Sequence, residues 1–230
     1  MGTLYVVATP IGNLGDLSER ALTVLEQVHL ILAEDTRVTR KILNQRQARK
    51  FDAQLLRLDS HVHGIRLANI VDQIDRGADA ALVSDAGTPQ VSDPGAALVS
   101  ECNQRGIKIV PIPGASALTT MISIADFSVQ PVVFFGFLPK KKGRETTLRR
   151  LKEYSGHYGA SSAVIYESPE RLRRTLENLI QLFGGQIHLV IGRELTKKFE
   201  ELWYGTLEES LTHFQSPRGE FSLLLQLPKA

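Results

Sequence analysis

The first half of the chain alternates short apolar runs with amphipathic stretches, and that alternation constrains the fold more than any other feature. "LYVVAT" (4–9) reads as a buried strand, and "LSERALTVLEQV" (17–28) places apolar residues at helical spacing. The same rhythm continues: strand "LILAE" (30–34), helix 37–45, weak strand "LLRL" (55–58), helix 64–76, strand "AALVSD" (80–85), helix 94–104, strand "IKIVPI" (107–112) and helix 115–125. Strands separated by helices cannot pair as hairpins, so they form a parallel sheet with helices on both faces. The text changes at "DFSVQP", which reads as a hinge. A second set follows: strand 132–137, a basic loop, helix 145–154, strand 162–167, helix 169–183 and strand 187–193. Strand 202–205, a short helix 207–214 and strand 221–227 complete it with little helix between them, which predicts a mixed sheet. The expectation is an α/β protein of two domains, 1–125 and 126–230, a doubly wound parallel sheet followed by a mixed one. A length of 230 residues accommodates both.

In open parallel sheets, ligands bind beyond the carboxyl ends of the strands. Four such ends carry small, turn-forming residues: "TPIGNLGD" (9–16), "EDTR" (34–37), "SDAGTPQVSDPG" (84–95) and "PGASAL" (113–118). These leave room for a ligand to approach backbone. The third spells Ser-Asp-x-Gly twice. In the second copy, Asp93 reads as a helix N-cap and Pro94 as the first helical residue. The first copy falls directly at a strand end, and Asp85-Ala86-Gly87 reads as the lining of a ligand site. A dinucleotide fold would need G-x-G-x-x-G after the first strand, and the chain offers only Gly12-Asn13-Leu14-Gly15. A P-loop is absent too. A nucleoside without phosphates suits these loops better.

Composition narrows the class. The 23% charged and 43% hydrophobic content is that of a soluble globular protein, and no apolar run reaches a membrane span. The N-terminus lacks the pattern of a signal peptide. The single cysteine, Cys102, cannot form an internal disulfide and reads as core filler, which points to a cytoplasmic setting. His61 and His63 read as a solvated helix start, so no metal is expected. A net charge of +2 is mild, but Lys140, Lys141, Lys142 and Arg144 form a dense basic loop. After a strand at the domain junction, that loop fits RNA phosphates better than plain solvation.

Seven segments appear in order: "TPIGNLGDLSERAL", "AEDTR", "LVSDAGTPQVSDPG", "PIPGASAL", "FFGFLPKKKGR", "YESPERL" and "RELTKKFEE". Together they resemble the 16S ribosomal RNA (cytidine-2′-O)-methyltransferase I family, a branch of the tetrapyrrole (corrin/porphyrin) methylase superfamily. The resemblance implies two α/β domains with S-adenosylmethionine in a cleft between them, usually as a homodimer. It implies methylation of a cytidine ribose in the small ribosomal subunit. It assigns cofactor contacts to Pro10, Ser84, Asp85, Ala86, Gly87, Val91, Ser92, Ser116 and Ala117. From the second domain it adds Tyr166, Glu167, Ile191, Gly192, Arg193 and Phe221.

The chemistry asks for little. A methyl group on a sulfonium is already activated, so the protein must align the acceptor and ease loss of the hydroxyl proton. The polar candidates are Glu34, Asp35, Arg37, Glu194 and Lys197, a carboxylate to orient the hydroxyl and a cation to grip phosphate. Asp35 or Thr36 can equally cap the next helix. Glu194 and Lys197 can equally be a solvated charged strand end. Two alternatives stay open: a tetrapyrrole-type small-molecule methyltransferase, and a non-catalytic RNA- or nucleotide-binding module.

Overall fold

A computed structural model describes residues 1–45, 52–59, 64–158 and 161–228. His61 and His63 lie outside the described residues. The chain divides into two compact units, Met1–Ser116 and Ala117–Ala230.

The first unit contains β1 (Thr3–Val7), α1 (Glu19–Gln27), β2 (Leu30–Ala33), α2 (Thr36–Gln45), β3 (Gln54–Arg57), α3 (Ile65–Asp75), β4 (Ala80–Val83), α4 (Ala96–Gln104) and β5 (Lys108–Ile112). Every strand pair is parallel, in the order β3-β2-β4-β1-β5. Alternate residues serve opposite faces, as the period of a strand requires. Leu4, Leu30, Leu32 and Leu82 pack with Ile70, Val71 and Ile74 of α3 and with Leu98 and Cys102 of α4. Val7, Ile31, Ala33 and Val83 pack with Ala21 and Leu25 of α1 and with Ile42 and Leu43 of α2. The sheet is therefore doubly wound, and β2 and β4 are buried at every position.

The second unit contains α5 (Ala117–Ser123), β6 (Val132–Phe137), α6 (Arg144–Tyr158), β7 (Ser161–Glu167), α7 (Pro169–Phe183), β8 (His188–Arg193), β9 (Glu201–Thr206), α8 (Leu207–His213) and β10 (Phe221–Leu227). Its sheet is mixed, ordered β6-β7-β10-β8-β9, with β6 and β7 parallel and the other pairs antiparallel. Leu151, Leu172, Leu176, Leu179 and Leu207 bring α6, α7 and α8 onto one face. Met121 of α5 meets the other face at Gly192, where a Cβ would lie 2.6 Å from its Sδ.

Helix α4 departs from expectation. It begins at Ala96 with Gly95 at its N-cap position and no side-chain cap, so neither Asp93 nor Pro94 performs the predicted role. The physical reason is the loop before it. Gln90 (φ 69°) and Ser92 (φ 74°) are left-handed, and Gly95 has φ 144°. This backbone consumes the second Ser-Asp-x-Gly copy before a helical turn can start.

Candidate functional site

The four loops at the carboxyl edge of the first sheet are stitched together. Thr9 N–H donates to Gly87 O (2.9 Å) and Gly87 N–H donates to Thr9 O (3.1 Å), which joins the loops after β1 and β4. Thr9 Oγ1 donates to Ser84 O (3.1 Å), and Ser84 Oγ donates to Gly87 O (2.7 Å). Thr88 Oγ1 donates to Ala115 O (3.1 Å), adding the loop after β5. Asp35 N–H donates to Asp85 Oδ1 (3.0 Å), adding the loop after β2. Gly87 takes φ 82°, and a Cβ there would sit 3.2 Å from Ile11 Cγ2. The conformation favours glycine, and any side chain there would also press on Ile11. Of the cofactor candidates in this unit, Pro10, Ser84 and Ser116 are buried, Asp85 and Val91 half-buried, and Ala86 and Ser92 exposed. Ala117 opens α5.

Three carboxyls of this edge influence one another. Burial raises Glu34, with Asp85 and Asp59 adding to the effect. Burial raises Asp85 as well. Asp93 is pushed up to about 7, by burial first and then by Glu34 and Asp85. Asp35 differs. The Arg37 guanidinium, 2.6 Å away, holds it down at about 2. Asp35 Oδ1 also accepts from Arg37 N–H (2.9 Å), so it caps α2 as the alternative reading had it. Arg37 leads a basic face of α2, where a cavity of about 320 Å³ is lined by Arg37, Arg40 and Lys41. Sequence reasoning missed the last two, although their spacing of three and four from Arg37 puts all three on one helical face.

In the second unit, one row of the sheet gathers distant segments. Phe221 of β10 pairs with Glu167 on one side and Arg193 on the other. Ser222 pairs with Tyr166 and with Gly192. The cofactor candidates Tyr166, Glu167, Ile191, Gly192, Arg193 and Phe221 are therefore neighbours across β7, β10 and β8. Glu167 is fully buried and satisfied: Arg171 Nη2 lies 2.6 Å away, and Thr175 Oγ1 (2.6 Å) and Ser168 N–H (2.9 Å) donate to it. Arg193 donates to Arg218 O (2.7 Å) and pairs with Glu201 (2.9 Å).

Two groups of candidates change standing. Arg144 is only 3% exposed. Its guanidinium donates to Thr175 Oγ1 (2.7 Å), Asn178 Oδ1 (3.0 Å) and Pro139 O (3.3 Å). Buried among these partners, Arg144 is anchored inward and stands apart from the exposed lysines of the basic loop. Lys140, Lys141 and Lys142 are exposed. Glu194 accepts from Glu220 N–H (2.9 Å) and from Lys197 Nζ (3.0 Å), and Lys197 also bonds Glu220 (2.8 Å). Burial pushes Glu194 up, but those hydrogen bonds outweigh it and hold the carboxyl below its usual value. The pair is a cross-link between the ends of β8 and β10, occupied with itself. Cys102 is buried, and burial pushes its thiol up to about 11, which removes it as a nucleophile. Among the described residues, no group of three or more His, Cys, Asp or Glu side chains could hold a metal ion. None of the described helices is long and apolar enough to cross a membrane.

The sequence model of the tetrapyrrole (corrin/porphyrin) methylases matches residues 3–210. A ribosomal RNA small subunit methyltransferase I of Thermotoga maritima is 40% identical over 227 residues, spanning 98% of this chain and 98% of that protein. The protein of the same name from Synechocystis sp. is 41% identical over 228 residues, 98% of this chain and 79% of that one. Among solved structures, a cobalamin biosynthetic enzyme, cobalt precorrin-4 methyltransferase, superposes with a TM-score of 0.71 at 15% identity, over 97% of this chain and 94% of that one. That likeness speaks for the fold alone.

Proposed function

The chain belongs to the tetrapyrrole (corrin/porphyrin) methylase family, in its ribosomal RNA small subunit methyltransferase I branch, and from that premise we propose that it methylates the ribose 2′-hydroxyl of a cytidine in small-subunit (16S) ribosomal RNA, with S-adenosylmethionine as donor. The observation that carries the reading is the stitched edge of the first unit. Four loops converge there, and Gly87 (φ 82°) lets the loop after β4 close against Ile11 and Ala115 without a side chain between them. Among the described residues, the edge offers backbone groups and carboxyls and no cationic phosphate cradle, which suits a nucleoside without phosphates. When bound, S-adenosylmethionine supplies a methyl group already activated on a positively charged sulfur.

The protein's own tasks are holding, orienting and taking a proton. Pro10, Ser84 to Gly87, Val91, Ser92, Ser116 and Ala117 are the proposed cofactor residues of this edge. Tyr166, Glu167, Ile191 to Arg193 and Phe221 are those of the second unit. Of the carboxyl candidates for proton acceptor, Asp35 is held in its ionised form by Arg37, and Glu194 by Glu220 N–H and Lys197, which makes them weak bases. Glu34 remains, and Asp93 joins it. Burial raises Glu34, and Asp93 is pushed up to about 7, which suits a carboxyl that accepts a hydroxyl proton at physiological pH. Lys140 to Lys142 and the α2 cations supply phosphate contacts, which give affinity rather than sequence choice.

The test is transfer of label from S-adenosylmethionine to purified small ribosomal subunits, to free 16S rRNA and to a porphyrinoid. Nucleoside digestion should then recover label in 2′-O-methylcytidine. Label on the porphyrinoid alone would replace this reading with the small-molecule one. Cofactor or RNA binding without any transfer would favour the non-catalytic module.

A further inference from the structure

Phe137 closes β6 with 52% of its surface exposed. Its setting is rigid. Tyr166 meets it edge-on at 5.8 Å between centroids, and Tyr166 meets Phe134 edge-on at 5.0 Å. The Arg171 guanidinium lies 5.8 Å from the Phe137 centroid. Arg171 is itself fixed by Glu167 (2.6 Å) and by donation to Leu138 O (2.8 Å). A ring braced in this way exposes aromatic surface at almost no ordering cost.

Cations follow at once. Lys140, Lys141 and Lys142 are exposed, and Arg174 of α7 reaches back to Lys140 O (3.5 Å). A cavity of about 250 Å³ lies beside them, lined by Lys141, Arg174, Thr146, Asn178 and the inward-anchored Arg144, with Glu145 as the acidic member. Four residues of chain span at most about 14 Å, so ring and cations lie within reach of one short stretch of a bound strand. An aromatic face beside a cationic track is how single-stranded nucleic acid is held. The π-face takes a base of any sequence and the cations follow the backbone.

Resting on the RNA substrate proposed above, we propose that Phe137 is a nucleobase-stacking platform, with the phosphate of an adjoining nucleotide held by Lys141 and Arg174. The platform orders the acceptor strand where the lysine loop alone would only attract it.

Three variants and two RNAs test this. The probe is a fluorescein-labelled single-stranded RNA oligonucleotide of mixed sequence, with an abasic version of the same backbone. Phe137→Ala should weaken binding of the intact RNA about tenfold and leave its salt dependence unchanged, since no charge is removed. On the abasic backbone the same change should cost nothing. Phe137→Trp should restore binding. Lys141→Ala with Arg174→Ala should flatten the salt dependence on both RNAs. Thermal melts confirm that each variant folds, which the exposure of Phe137 favours. Equal binding of intact RNA by Phe137→Ala and the parent chain overturns the platform. So does an equal loss on the abasic backbone. If the parent chain neither binds RNA nor methylates small subunits, the underlying reading falls and the platform with it. If it does both and Phe137→Ala matches it, only the platform falls.

Discussion

Gly87 and Asp93 stand six residues apart in one loop, and each makes a prediction. A valine at Gly87 must adopt φ 82° and push its methyl groups toward Ile11 and Ala115. Strain of this kind costs about 1–3 kcal/mol, which a two-domain fold tolerates, but it displaces Ile11 and the Thr9–Gly87 bridge that shape this edge. The Gly87→Val protein should fold and bind S-adenosylmethionine at least about tenfold more weakly by calorimetry, a loss of some 1.4 kcal/mol; undiminished affinity would misplace the cofactor. Asp93 titrates at about 7 in the fold against 3.8 for a free aspartate. The fold keeps a proton that the unfolded chain has already released. Stability therefore falls as pH rises from near 4 to near 7, and is level above that. Asp93→Asn removes the fall, so its melting temperature relative to the parent should climb across that window and then stay constant. A difference independent of pH would show that Asp93 is not perturbed. The sequence hid this residue because Asp-Pro-Gly before an apolar run spells a helix cap. What separates a cap from a buried carboxyl is the left-handed backbone of Gln90 and Ser92, and neither residue type announces it.

Elements were easier to read than residues. Apolar runs and helical spacing located each strand and helix to within about four residues, the largest miss being the end of α6, since burial on two faces leaves continuous apolar text and burial on one leaves periodic text. Strand order was not legible. Nothing local in "LYVVAT" says that β1 lies between β4 and β5, because neighbours are chosen by how crossover helices pack. The basic loop before α6 was legible as a charge cluster but not in its division of labour. Arg144 turns inward to Thr175 and Asn178, while three lysines face solvent. Replacing Lys140, Lys141 and Lys142 by alanine should reduce the salt slope of RNA binding by about 0.7 for each single-strand phosphate that is no longer neutralised. Cofactor affinity should hold. An unchanged slope in a folded triple variant would reduce the loop to a solvated face.

For the molecule as a whole, ligand linkage offers a check on the cofactor that needs no RNA. A ligand that binds only the folded state adds about 2.7 kcal/mol at a hundred times its dissociation constant. S-adenosylmethionine should raise the melting temperature of chelator-treated protein as much as that of untreated protein; a shift that appears only when metal is returned would contradict the metal-free reading. The change of text at "DFSVQP" predicts two domains, and the packing of the chain draws the division at Ser116–Ala117. Those letters mark a turn well enough, but which unit claims the helix before them depends on packing, and α5 packs on the second sheet through Met121 and Gly192. The two sheets also differ in when they can be completed. All five strands of the first precede residue 113, whereas β10 lies between β7 and β8 although every strand it joins comes earlier in the sequence. During synthesis, the first unit can close while the second is still being translated. The second must wait with two open strand edges until Phe221–Leu227 leaves the exit tunnel. A chain cut after β8 but before that strand would leave the edges of β7 and β8 unpaired, which is an aggregation hazard more than a weakened enzyme.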